Sequence, residues 1–121
     1  ALLCNAFPHS KSLWVNTGEV IISNNQLVTS FVKTCSVIEF SYNKLNFMAH
    51  IDAFNPNMEL KLINNLKKFN LDNIKEVNVW RGSHCFSNCP SFKIAMKILK
   101  KFSDKKIINY YYSNETIIKS K

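Results

Sequence analysis

The chain has 121 residues, of which 46% are hydrophobic and 20% charged, and Lys+Arg 16 against Asp+Glu 8 gives a formal net charge of +8. A chain of that length suits one domain, 1–121, and excludes two independent cores; it can bury roughly two-thirds of its unfolded surface and so needs neither a metal nor a disulfide to fold. The positive balance favours an acidic partner, yet arginine occurs only at Arg81, and readers of nucleic acid use several arginines, which argues against nucleic-acid binding.

Residues 1–11 show no periodicity, and the opening apolar stretch is too short for an intact signal peptide. No run of about 18 apolar residues occurs, so no membrane span is expected. Short extended segments are predicted at 12–16, 18–23 and 27–32. The best hairpin pairs 35–42 with 45–51: both arms are rich in β-branched and aromatic residues, and Asn43-Lys44 forms a two-residue link in which asparagine tolerates positive φ.

After Asn55-Pro56 the hydrophobic period changes. Leu62, Ile63, Leu66 and Phe69 share one face while lysines and asparagines fill the other, which predicts a helix near 57–69 opened by Pro56. Residues 74–80 alternate and predict a strand; 81–89 read as a loop. Pro90 opens a second helix with Phe92, Ala95, Met96, Leu99 and Phe102 on one face. A core strand at 107–112 and an edge strand at 116–118 complete the order. The expected fold class is α/β, a two-layer sandwich: a mixed β-sheet with two helices packed on one face, the later strands partly parallel.

The chemistry-bearing residues gather around Cys35. Thr29 stands six positions before it and His50 fifteen after it. If the hairpin forms, thiol and imidazole lie near one end of the sheet, where an imidazole can draw the thiol toward thiolate near neutral pH. Asp52, two residues after His50, shares its face of a strand and either tunes the imidazole, binds a substrate amine, or serves a turn. His84, Cys85 and Cys89 resemble a metal cluster only superficially: Cys-x3-Cys is unusual spacing for zinc, and only Cys4 and His9 remain to complete it. No metal site is expected. A nucleophilic thiol must stay reduced, which favours a cytoplasmic site of action.

Thr29-x5-Cys35, a hairpin, then Met48-Ala49-His50 resembles the chemotaxis-receptor glutamine deamidases of the CheD family, whose thiol-hydrolase fold also occurs in cytotoxic necrotizing factors and related bacterial toxins. A second resemblance spans 27–103: Thr34-Cys35, His50-Ile51-Asp52, the first helix, the strand to Trp80 and the Ser/Pro-led second helix are similar to eukaryotic protein N-terminal asparagine amidohydrolases. Two departures stand out. Val32-Lys33-Thr34 replaces the glycines those deamidases place before the cysteine, and Arg81-Gly82 replaces a Gly-Gly pair.

The resemblance implies a cofactor-free deamidation of a glutamine or asparagine side chain in a protein substrate. It implies Cys35 as nucleophile, His50 as general base and acid, and Thr29 as the group orienting the imidazole. Arg81, Gly82 and Ser83, at the end of the later strand, are candidate substrate-binding residues together with Asp52, and His84 is a weaker one. An N-terminal specificity would need a carboxylate for the α-amino group, with Asp52 and Glu39 nearest. A protein partner with an acidic surface fits the lysine-rich helices, and the shortness of the chain suggests delivery into a host cell as a further option. The rival reading is a non-catalytic basic binding module on the same fold.

Overall fold

The computed structural model describes residues 12–103, 108–112 and 116–119; Cys4, His9 and Ile107 lie outside them, as does the chain end at 120–121. In chain order the elements are β1 (Ser12–Trp14), β2 (Val20–Ser23), β3 (Gln26–Ser30), β4 (Ser36–Tyr42), β5 (Leu45–Ile51), α1 (Met58–Leu66), a 3-10 turn (Leu71–Asn73), β6 (Val77–Arg81), α2 (Pro90–Phe102), β7 (Ile108–Tyr112) and β8 (Thr116–Lys119).

Five strands form a mixed sheet in the order β2-β5-β4-β6-β7, with β6 and β7 parallel and the other pairs antiparallel. The β4–β5 hairpin forms as expected, from Ser36↔Ile51 to Tyr42↔Leu45. Asn43 (φ 48) and Lys44 (φ 68) both adopt the left-handed conformation, which matches the right-handed twist of the two strands.

Strand alternation divides this sheet into two buried faces. Ile38, Phe40, Phe47, Ala49, Ile51, Val77 and Val79 pack with Met58, Leu62, Leu66, Ala95, Ile98 and Leu99, so both helices cover one face. Phe40 and Phe47 stack at 4.5 Å, and Phe69 meets both rings edge-on. Side chains of this size supply about 1.5–3 kcal/mol each on full burial. Helix α1 is shorter than its hydrophobic pattern suggests: it starts at Met58 beyond Pro56 and ends at Leu66.

The mixed sheet with both helices on one face is the expected α/β sandwich; its opposite face carries a further small sheet. Strands β1, β3 and β8 form a separate three-stranded sheet, with β1 parallel and β8 antiparallel to β3. Leu27 and Ile117 from it pack with Val15, Val32, Cys35, Val37 and Met48. A buried ion pair pins β8 down: Lys119 Nζ lies 3.2 Å from Glu39, whose carboxylate also accepts from Asn78 Nδ2 at 3.0 Å and Trp80 Nε1 at 3.1 Å. No described helix is long and apolar enough to cross a membrane.

Candidate active site

The site lies at one end of the five-stranded sheet, between the two sheets. Val37 pairs with His50, so their side chains share a face, and Cys35, two residues before Val37, shares it too. Cys35 is 9% exposed and His50 fully buried. Asp52 continues the same alternation, and its charge acts on both groups. Four of the residues singled out in the sequence, Thr29, Cys35, His50 and Asp52, therefore meet in one region.

The hydrogen bonds to Thr29 fix the imidazole. Its hydroxyl donates to Val15 O at 2.6 Å, an atom that can only accept. The single hydroxyl proton is thereby engaged, so the 2.6 Å contact between Thr29 Oγ1 and His50 Nδ1 requires Nδ1–H to donate. His50 thus carries its proton on Nδ1 and a bare lone pair on Nε2. That Nε2 is buried with no hydrogen-bond partner among the described residues. A buried polar atom without a partner costs about 1–3 kcal/mol and calls for an explanation.

The same burial sets both protonation states. It lowers the His50 pKa from its ordinary 6.5, against a smaller opposing pull from Asp52, so the imidazole rests neutral. It raises the Cys35 thiol from 9.0 to about 11, with the negative charge of Asp52 adding to the rise. The resting pair is thiol and neutral imidazole, which corrects the expectation of a thiolate near neutral pH. Both shifts favour uncharged forms in the folded chain. His50 supports the fold above its ordinary value and less as pH falls through the lowered one; Cys35 supports it below 9.0 and loses that support as pH rises through about 11. Alkylation of Cys35 by iodoacetamide in the free protein should therefore climb with pH toward about 11. A plateau in the rate at neutral pH would show a preformed thiolate–imidazolium pair instead.

The segment leading into Cys35 is held from several sides. Gly82 N–H donates to Cys35 O at 2.9 Å, Ser83 N–H to Val32 O at 3.0 Å and His84 N–H to Lys33 O at 3.0 Å. Ser91 Oγ–H donates to Thr34 O at 2.8 Å, so the 2.9 Å contact from Ser36 Oγ to Ser91 Oγ has Ser36 as donor. A Cys85–Cys89 disulfide closes this loop, which removes both thiolates as metal ligands and leaves Cys35 as the free cysteine among the described residues. An oxidised pair and a reduced thiol thus coexist, a mixture that a purely reducing compartment does not account for.

The structure gives three of the expected substrate-binding residues other tasks. Arg81 shares the parity of Val77 and Val79, so it projects to the helix face. Its Nε donates to Cys85 O at 3.1 Å, another guanidinium nitrogen to Phe86 O at 2.6 Å, and the group lies 4.2 Å from the centre of the Phe92 ring. The amides of Gly82 and Ser83 are engaged by the Cys35 segment, and Ser83 Oγ contacts His84 Nδ1 at 3.0 Å. Glu39 is buried in its ion pair and is not placed to hold a substrate amine. Asp52 combines two of its readings: Oδ1 accepts from Phe54 N at 3.0 Å in a turn while its charge reaches Cys35 and His50.

Two features of the site escaped the sequence reading. Loop 15–19 brackets His50, with Gly18 N–H donating to His50 O at 2.8 Å and His50 N–H to Glu19 O at 3.0 Å. Phe31, on the turn between Thr29 and Cys35, has φ 59. A bulky side chain in that conformation costs about 1–2 kcal/mol, and such strain collects at functional sites.

No family model matches the chain, and no curated protein matches it. Among solved structures it is similar to the crystal structure of the C-terminal domain of CNFy from Yersinia pseudotuberculosis, with a TM-score of 0.44 and 9% identity over 88% of this chain. The match covers 51% of that chain, so the protein spans about half its length.

Proposed function

We propose that the chain is a cysteine-dependent amidohydrolase that deamidates a glutamine or asparagine side chain of a protein substrate. The observation that carries this reading is the buried, unpartnered Nε2 of His50, held in the base-competent tautomer by Thr29 and sharing a face with Cys35. A packing histidine in a binding module has no use for an orphaned buried lone pair on the sheet face that also carries Cys35. The deamidase families whose Thr, Cys and His pattern this chain resembles support the same roles.

In this mechanism Cys35 Sγ attacks the carboxamide carbon as its proton passes to Nε2. The imidazolium then protonates the departing nitrogen, and ammonia leaves behind a thioester. Nε2 next takes a proton from water, whose oxygen attacks the thioester carbon; the carboxylate departs and the proton returns to sulfur. Because the resting thiol is neutral, His50 acts as base during the attack rather than before it. The negative charge of Asp52 opposes a free thiolate but stabilises the imidazolium that forms.

The test is mass spectrometry of candidate acidic proteins and peptide mixtures after incubation with wild type and Cys35→Ala. Conversion of a carboxamide to a carboxylate with wild type, absent with the variant, is expected. Equal conversion by both would remove Cys35 from the chemistry. A glutamine or asparagine converted only at a free N-terminus would assign the N-terminal specificity, with Asp52 as the carboxylate nearest the site.

A further inference from the structure

The strand ends around Cys35 and His50 carry the four most exposed aromatic side chains among the described residues. Trp14 (58% exposed) ends β1, Phe31 (76%) follows β3, Phe54 (86%) follows β5 and Phe86 (62%) follows β6. Strand direction puts all four at one rim. Gln26–Ser30 runs parallel to Ser12–Trp14, its Thr29 meets His50 near the end of β5, and β5 and β6 both run antiparallel to β4, which starts just after Cys35. The exposed lysines of α1 and α2 belong to the helix layer instead.

Between Trp14 and Phe31 lies a cavity of about 370 Å³. Two of its lining residues adjoin the site: Val15 supplies the carbonyl that accepts from Thr29, and Ser30 follows Thr29 in the chain. Asn16 and Thr17 add polar edges from the loop that brackets His50. The left-handed turn at Phe31 presents its ring outward while the next residue, Val32, is fully buried. Water gains nothing from an exposed tryptophan and phenylalanine here, whereas aromatic anchors of this kind dominate protein recognition.

Resting on the amidohydrolase reading, we infer that the Trp14–Phe31 cavity is a specificity subsite that takes a large apolar side chain next to the target carboxamide in the substrate polypeptide. Recognition at the thiol is then aromatic and apolar, and any attraction of an acidic partner by the helix lysines acts at a distance from it.

The experiment uses short synthetic peptides with one glutamine or asparagine flanked on either side by Phe, Leu, Ala, Lys or Glu. Deamidation is followed by mass spectrometry for wild type, Trp14→Ala and Phe31→Gly. Glycine suits the positive φ at position 31, so that variant keeps the turn. Iodoacetamide labelling of Cys35 reports whether the site stays intact. Wild type should favour Phe or Leu neighbours over Ala by about 10- to 100-fold in kcat/KM. Both variants should lose that preference, chiefly through KM, while Cys35 labels at the wild-type rate. A wild type with no apolar preference, or a preference that survives in both variants, would overturn the subsite. A wild type inert toward every peptide would instead overturn the amidohydrolase reading beneath it.

Discussion

Gly82→Ala is expected to destabilise the protein by about 3–4 kcal/mol, at the severe end for a single methyl group. A Cβ at this position would stand 2.0 Å from Lys33 O, 2.5 Å from Lys33 C and 2.7 Å from Cys35 O. All three atoms are backbone, so no side chain can swing aside. The two segments must separate, and the hydrogen bonds from Gly82, Ser83 and His84 to Cys35, Val32 and Lys33 lengthen or break together. Urea unfolding measures the loss, and iodoacetamide labelling should show Cys35 becoming more accessible. A variant as stable as wild type would mean that the loops are not packed this closely. Gly18→Ala is the control: its Cβ meets the Asn55 side-chain nitrogen at 2.7 Å, which can move, although φ 84 still disfavours alanine.

Thr29→Val should keep the fold yet reduce deamidation by about ten-thousandfold, the scale on which loss of a tautomer-fixing group acts in hydrolytic sites. Valine cannot accept from His50 Nδ1–H, so the proton is no longer favoured on that nitrogen and Nε2 ceases to be a reliable base. A buried N–H without a partner also costs about 1–3 kcal/mol of stability. Thr29→Ser restores the hydroxyl and should recover most of the rate. Nitrogen NMR of the imidazole separates this from a packing effect: wild type and serine variant should show Nδ1–H, and the valine variant a mixture. Full activity with valine would show that Thr29 does not set the tautomer.

Much of this architecture is legible in local pattern. Period-two alternation locates the hairpin and puts Cys35 and His50 on one face, and the 3.6-residue period locates both helices. Partner choice between strands is not local, so nothing in 12–16, 27–32 or 116–118 announces that these segments leave the main sheet and cover its second face. The same parity that unites Cys35 with His50 sends Arg81 to the helix side, a signal present in Val77 and Val79 but easily outweighed by the appeal of a lone arginine. In α2 the apolar stripe Phe92, Ala95, Met96, Leu99 and Phe102 puts Ala95 and Leu99 in the core with Phe92 and Phe102 packed half-buried against it, while the burial of Ser91 and Ile98 is not part of that pattern. The protonation state of Cys35 depends on burial by distant segments, which spacing does not encode. Gly82 reads as a loop glycine, and only the approach of Lys33 O reveals why a side chain is excluded.

Thr29 and His50 belong to different sheets, and the bond between them spans the seam. Without the outer sheet the acceptor for the ring Nδ1–H is gone, and the proton is no longer fixed to one nitrogen. The tautomer on which the proposed chemistry rests is therefore a property of the two sheets together, not of either one.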